Sequence, residues 1–167
     1  MNLFLLRHGI AVEHGTPGYE ADADRPLTPK GERRLGGIAD AMEAMGLTFG
    51  LILSSPLVRA RQTAEIVAEA LGLKKKLEFS DALMPDGDAK ALIATLNKLE
   101  PKPENVLLVG HEPYLSELIS TLTSGDARGA IDFKKGGQCK LEVETMRPGR
   151  CATLAWLLTP RQMGLMA

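Results

Sequence analysis

The feature that most constrains this chain is a short apolar run with an abrupt end. Leu3-Phe4-Leu5-Leu6 has no polar alternation and stops at Arg7-His8-Gly9. A run this short suits a strand, and the missing alternation means that both faces are buried. A strand buried on both faces belongs in a parallel sheet flanked by helices. Arg7, His8 and Gly9 then stand at its carboxyl end, where open α/β sheets bind ligands. Glycine lets the backbone turn sharply and approach a ligand. Arginine offers a planar fork of donors suited to phosphate or carboxylate. Histidine can act as nucleophile, base or metal ligand. An ordinary strand end with two solvated polar side chains would look the same, so the rest of the chain must decide.

The same punctuation returns twice. Leu51-Ile52-Leu53 runs into Ser54-Ser55-Pro56, and Asn105 to Val109 runs into Gly110-His111-Glu112-Pro113. Between the strands lie helical patterns. Thr28-Pro29 opens one that carries Leu35, Ile38, Ala39, Met42 and Met45 and stops at Gly46. The second carries Ala60, Ala64, Val67 and Leu71, is capped by the serines, and ends at Gly72. Leu92, Ile93, Leu96 and Leu99 mark a third, ended by Pro101 and Pro103. Leu115, Leu118, Ile119 and Leu122 mark a fourth, which stops near Gly125. Leu77 to Phe79, Ile131 to Phe133, Lys140 to Val143 and Thr153 to Leu158 read as further strands, and Lys74-Lys75-Lys76 as a solvated loop. Strands alternating with helices predict an α/β fold, a three-layer α/β/α sandwich with a mainly parallel sheet. The last third adds an antiparallel edge. No linker divides the chain, so residues 1–167 are expected to form one domain.

The turn Arg147-Pro148-Gly149 suggests a hairpin that sets Cys139 opposite Trp156 and Cys151 opposite Glu144. The cysteines then do not meet and are read as free thiols in a reducing compartment. No apolar run is long enough for a signal peptide or a membrane span. A cytoplasmic protein, a monomer with no membrane partner, is the expectation. With 20 basic and 21 acidic residues and few aromatics, no nucleic-acid partner is expected.

The three strand ends carry related chemistry: Arg7 and His8, then Arg59 in the first turn of the second helix, then His111. Strand ends on one edge of a parallel sheet converge. The helices that follow add backbone N–H groups and positive dipole ends. Such a pocket suits a phosphate dianion. The long polar stretch Ile10 to Pro26 lies beside it in sequence. Glu13, His14, Glu20, Asp22 and Asp24 within it are read as solvated loop residues.

Three motifs occur in order: Leu6-Arg7-His8-Gly9, Ser54-Ser55-Pro56-Leu57-Val58-Arg59-Ala60-Arg61-Gln62-Thr63-Ala64, and Val109-Gly110-His111-Glu112-Pro113. With them the sequence resembles the histidine phosphatase superfamily, the phosphoglycerate mutase-like fold. The resemblance implies that His8 is a nucleophile carrying a transient phosphoryl group. It implies that Arg7, Arg59, His111 and Gly9 bind the phosphoryl oxygens, with no metal and no other cofactor. His8 must then offer a neutral attacking nitrogen while its other nitrogen donates to a backbone carbonyl near Gly9.

Short length, Arg25-Pro26-Leu27-Thr28-Pro29-Lys30-Gly31, Leu83-Met84-Pro85-Asp86-Gly87-Asp88 and Trp156-Leu157-Leu158-Thr159-Pro160 resemble the SixA-type phosphohistidine phosphatases. One departure from other branches bears on substrate. Mutases and many ester phosphatases carry a glutamate where this chain has Leu83-Met84-Pro85. An alkoxide leaving group needs a general acid. An imidazole, with a reference pKa of about 6.5, leaves with little help. The expected substrate is therefore phosphohistidine on a partner such as a phosphorelay or phosphotransfer protein. Two alternatives stay open. One is a phosphatase of small esters with Asp86 or Asp88 as proton donor, and the other is a non-catalytic phosphate-binding module.

Overall fold

A computed structural model describes residues 1–167. Its centre is a six-stranded sheet: β1 (Asn2–Arg7), β2 (Leu51–Ser54), β3 (Leu77–Phe79), β4 (Asn105–Gly110), β5 (Gln138–Val143) and β6 (Ala152–Leu158), in the order β3-β2-β4-β1-β5-β6. β1 to β4 are parallel, and β5 and β6 add the antiparallel edge.

Each central strand is apolar between its ends because its alternate residues enter different cores. Leu3 and Leu5 pack with Leu53, Val106 and Leu108 under α3 (Ala89–Asn97) and α4 (Tyr114–Ser124). Phe4 and Leu6 pack with Ile52, Leu107 and Val109 against α1 (Pro29–Ala44), α2 (Val58–Ala70) and Met163 of the short α5 (Pro160–Met163). This is the three-layer sandwich that the unbroken apolar runs require.

The helix caps follow the sequence in three places. Thr28 accepts from the Gly31 amide with Pro29 at the first helical position, Asp88 accepts from the Lys90 amide, and Gly125 ends α4 at φ 87°. Four expectations need correction. Ser55 does not cap α2, whose N-terminus has no side-chain cap. Residues 131–133 form no strand, because Phe133 instead turns its carbonyl to Arg7. The Lys74–Lys76 run forms a short 3₁₀ turn. Cys139 pairs with Leu157, and Trp156 faces Lys140, because the hairpin register shifts between Lys140 and Leu141. The cysteines are free, and burial pushes the Cys139 thiol up to about 12. No helix is long and apolar enough to cross a membrane.

The topology opens a crevice where the chemistry lies. The connection leaving β1 passes into α1 on one face of the sheet, while that leaving neighbouring β4 passes into α4 on the other. Adjacent strands whose connections diverge leave a gap at their carboxyl ends.

Candidate active site

Register brings the three strand ends to one level. Arg7 lies beside Gly110, and Ser54 beside Val109. The ladder continues one residue further, with the His8 amide donating to Gly110 O (3.0 Å) and the Ser55 amide to Val109 O (3.0 Å). His8 and His111 then face each other, ring centroids 5.1 Å apart. Arg59 reaches in from the first turn of α2 and is only 3% exposed.

His8 is oriented at both ring nitrogens. Its Nδ1 lies 2.8 Å from Gly9 O, a contact that needs a proton on Nδ1. Its Nε2 then carries the lone pair, and Arg59 Nε donates to it at 3.3 Å. Gly9 is held in turn, since its amide donates to Thr63 Oγ1 and the Thr63 hydroxyl donates to Arg59 O. Thr63 thus ties the histidine loop to the arginine helix. Gly9 has no left-handed backbone. It is glycine for room, because a Cβ there would lie 2.6 Å from Leu35 Cδ1 and 3.2 Å from Leu27 Cδ2.

Arg7 donates through Nη1 to Phe133 O (2.8 Å), and the Gly136 amide returns to the carbonyls of Arg7 and His8. His111 Nε2 lies 2.8 Å from Ser55 Oγ. Arg7 Nε and His111 Nδ1 are buried without a protein partner. Burial, then the charges of His111, Arg59 and Arg7, holds the His8 pKa well below its ordinary value. Burial and Arg59 bring His111 to about 3. Both rings are neutral in the free protein near neutral pH.

This has a consequence for stability. The folded histidines bind protons only far below 6.5, whereas the unfolded ones do so below it. The unfolded state therefore holds more protons between about pH 3 and 6.5, and stability must fall as pH drops through that window. Each histidine contributes up to about 1.4 kcal/mol per pH unit. Chemical denaturation from pH 7 to pH 4 is expected to give a shallower decline for His111→Gln than for the native chain.

Asp22 is the residue that sequence reasoning misplaced. Read as a solvated loop residue, it instead grips Arg59: Arg59 Nη2 lies 3.0 Å from Oδ2, and Nη1 donates to the Asp22 carbonyl at 2.8 Å. Arg25 binds the other carboxylate oxygen at 2.7 Å and donates to Val12 O, which closes the 10–26 loop on itself. Burial alone would raise the Asp22 pKa, but Arg25 and Arg59 outweigh it and lower it. No periodicity marks this residue, because its role depends on a partner 37 positions away. Glu13, His14, Glu20 and Asp24 are exposed as expected. Asp22→Asn is expected to loosen Arg59 and weaken oxyanion affinity several-fold, about 1 kcal/mol for a partly exposed pair. Titration calorimetry with tungstate or phosphate checks this.

Asp86 and Asp88, the candidate proton donors, make no hydrogen bond with either histidine. Asp86 is exposed, and exposed Asp88 caps α3. Glu112 accepts from the Ser116 amide and hydroxyl at the start of α4. No carboxylate hydrogen-bonds or ion-pairs with His8 or His111.

Two guanidiniums and two neutral imidazoles around one crevice, one imidazole with its lone pair aimed inward, define an anion pocket equipped for phosphoryl transfer. Comparison with known proteins places the chain within that class. The model of the histidine phosphatase superfamily (branch 1) matches residues 3–84. The phosphohistidine phosphatase SixA of Escherichia coli K12 is 33% identical over 129 residues, 75% of this chain and 76% of that protein. An uncharacterised protein of Picosynechococcus sp. PCC 7002 is 41% identical over 138 residues, 82% of each chain. The structure of the protein histidine phosphatase SixA complexed with tungstate superposes with a TM-score of 0.83 at 27% identity, covering 96% of this chain and 98% of that one. The chain belongs to the histidine phosphatase superfamily, in its SixA-type branch. Membership makes it a phosphoryl-transfer enzyme of the phosphatase kind.

Proposed function

We propose that the protein hydrolyses phosphohistidine carried on a partner protein, through a phosphoryl intermediate on His8. The observation that supports this reading is that Asp22, the carboxylate at the pocket, is held ionised by Arg59 and Arg25 and so is a poor proton donor, while no carboxylate hydrogen-bonds to His8 or His111. The likeness to SixA, a phosphohistidine phosphatase, agrees with it.

The phosphoryl group enters between Arg7, Arg59 and His111, where buried Arg7 Nε and His111 Nδ1 can meet its oxygens. His8 Nε2 attacks phosphorus in line with the nitrogen of the partner's imidazole. The new Nε2–P bond forms as the old N–P bond breaks, and the partner's ring, already protonated at its other nitrogen, departs with the electron pair as neutral imidazole. Charge on the equatorial oxygens is met by the two guanidiniums. The dianion also raises the His111 pKa, since it brings the opposite charge to a site whose arginines lower it. Water then attacks the phosphoryl group. The P–Nε2 bond breaks, inorganic phosphate leaves, and the neutral Nδ1–H tautomer of His8 returns. No step needs a strong acid, because each leaving group is an imidazole.

The reading is tested with a histidine-phosphorylated protein, free phosphohistidine and a panel of sugar phosphates. Phosphohistidine hydrolysis at least about a hundredfold faster than ester hydrolysis is expected. Faster ester hydrolysis would overturn the substrate assignment and return attention to Asp86 and Asp88.

A further inference from the structure

A groove of about 560 Å³ adjoins the pocket, with Arg7 as their shared wall. Its other cations are Arg34 from α1, Lys134 and Lys135 from the loop before β5, and Arg161 from α5. No acidic residue lines it, although the chain as a whole has a net charge of −1. Lys134 is paired with Asp132 (2.6 Å), while Arg34, Lys135 and Arg161 make no ion pair. Like charges gathered along one groove repel each other and need a reason to stay together.

We infer that this groove docks an acidic segment of the phosphorylated partner protein and presents its phosphohistidine to His8. The inference rests on the proposed function and adds the chemistry of the partner. Three observations carry it. The first is continuity. The Gly136 amide binds the carbonyls of Arg7 and His8, and the Arg7 amide binds Gly137 O. A segment held by Lys134 and Lys135 is therefore held at a fixed position relative to the nucleophile. The second is exposure. Arg34, Lys135 and Arg161 are all exposed on long stems, unlike Arg59 at 3%. Exposed cations attract and steer an extended acidic surface, whereas tight capture of a small anion needs enclosed donors. The third is extent. The groove spans four parts of the chain, and Arg7 at its edge supplies the only donor it shares with the phosphoryl pocket.

The test compares two synthetic phosphohistidine peptides of equal length, one flanked by glutamates and one by lysines, with free phosphohistidine. Acting on these are the native enzyme and the variant Arg34→Glu/Lys135→Glu/Arg161→Glu. The native enzyme is expected to favour the acidic peptide by at least about tenfold in kcat/KM at low salt, with the preference fading as screening rises. In the variant the preference vanishes, and free phosphohistidine is hydrolysed as before. The triple alanine variant gives the same direction with a smaller effect if charge reversal impairs folding. Equal use of both peptides by the native enzyme overturns the inference, as does a preference that survives in the variant. Loss of free phosphohistidine hydrolysis in a folded variant also overturns it, because the groove would then belong to the phosphoryl pocket. A second arm separates this inference from the function it rests on. Fluorescein-labelled, unphosphorylated forms of the two peptides are titrated by polarisation. Tighter binding of the acidic peptide, lost in the variant, supports the groove even if phosphohistidine proves not to be the substrate. Displacement of that peptide by tripolyphosphate at far lower concentration than by its unlabelled form would assign the groove to a small polyanion instead.

Discussion

His8→Ala is expected to lose about four to six orders of magnitude in kcat, leaving the protein folded and still able to bind an oxyanion. The scale follows from the route. With no nucleophile there is no intermediate, and water must attack the bound phosphoryl group unaided while Arg7, Arg59 and His111 still hold it. The fold survives because the ring makes few attachments, its Nδ1 contact with Gly9 O and the Arg59 contact at Nε2. Losing one such hydrogen bond costs about 1 kcal/mol. Three measurements settle the matter together. Rapid quenching of the native enzyme should trap a phosphoryl label that is stable in alkali and lost in acid. The variant should show none, and its tungstate affinity should stay within a few-fold of native. A labelled His8→Ala protein, or one that keeps a tenth of native turnover, would place the nucleophile elsewhere.

Arg59→Ala carries the second largest expectation, a fall of about a thousandfold in kcat/KM, or roughly 4 kcal/mol of transition-state stabilisation. Three losses combine. The Nε–H that orients His8 Nε2 goes, the donors for the phosphoryl oxygens go, and Asp22 keeps a carboxylate at the mouth of the pocket balanced by Arg25 alone. Arg59→Lys separates charge from shape. Lysine restores the cation but cannot reach His8 and Asp22 from one plane. It is expected to stay about a hundredfold below native, with most of the loss in kcat. Full activity in Arg59→Lys would show that a point charge suffices and that the contacts with His8 and Asp22 are incidental. Stability should change little in either variant, because the Asp22 partner is 40% exposed.

How legible the site was depended on where each residue's partner lies. Arg7, His8, Arg59 and His111 could be brought to one edge because Arg7, His8 and His111 stand at strand ends and Arg59 in the first turn of the helix after one, and parallel strands bring their carboxyl ends together. Asp22 could not. Its chain neighbours are loop residues without periodicity, and its function comes from meeting α2 across the crevice. Ser55 reads locally as a helix cap, yet it faces His111, 56 residues on. Thr63 sits inside a legible motif, but its bond to the Gly9 amide exists only once α2 lies under the first strand end. The strand expected at 131–133 failed for a related reason. Ile131 and Phe133 are strand-like residues, but the Phe133 carbonyl accepts from Arg7 and not from a neighbouring strand.

The layered α/β fold was written in the sequence, as was the meeting of Arg7, His8, Arg59 and His111 at one edge of the sheet. The fold could be read there because burial on both strand faces is written as unbroken apolar runs, and helix burial as a 3.6-residue period. Which nitrogen of His8 carries the lone pair, and which carboxylate holds Arg59, came from the folded arrangement. It alone gathered Arg34, Lys135 and Arg161 beside Arg7. Charge and hydrogen bonding act over a few ångströms in space, whatever the separation along the chain, so residues from distant segments acquire their roles only when the fold sets them side by side.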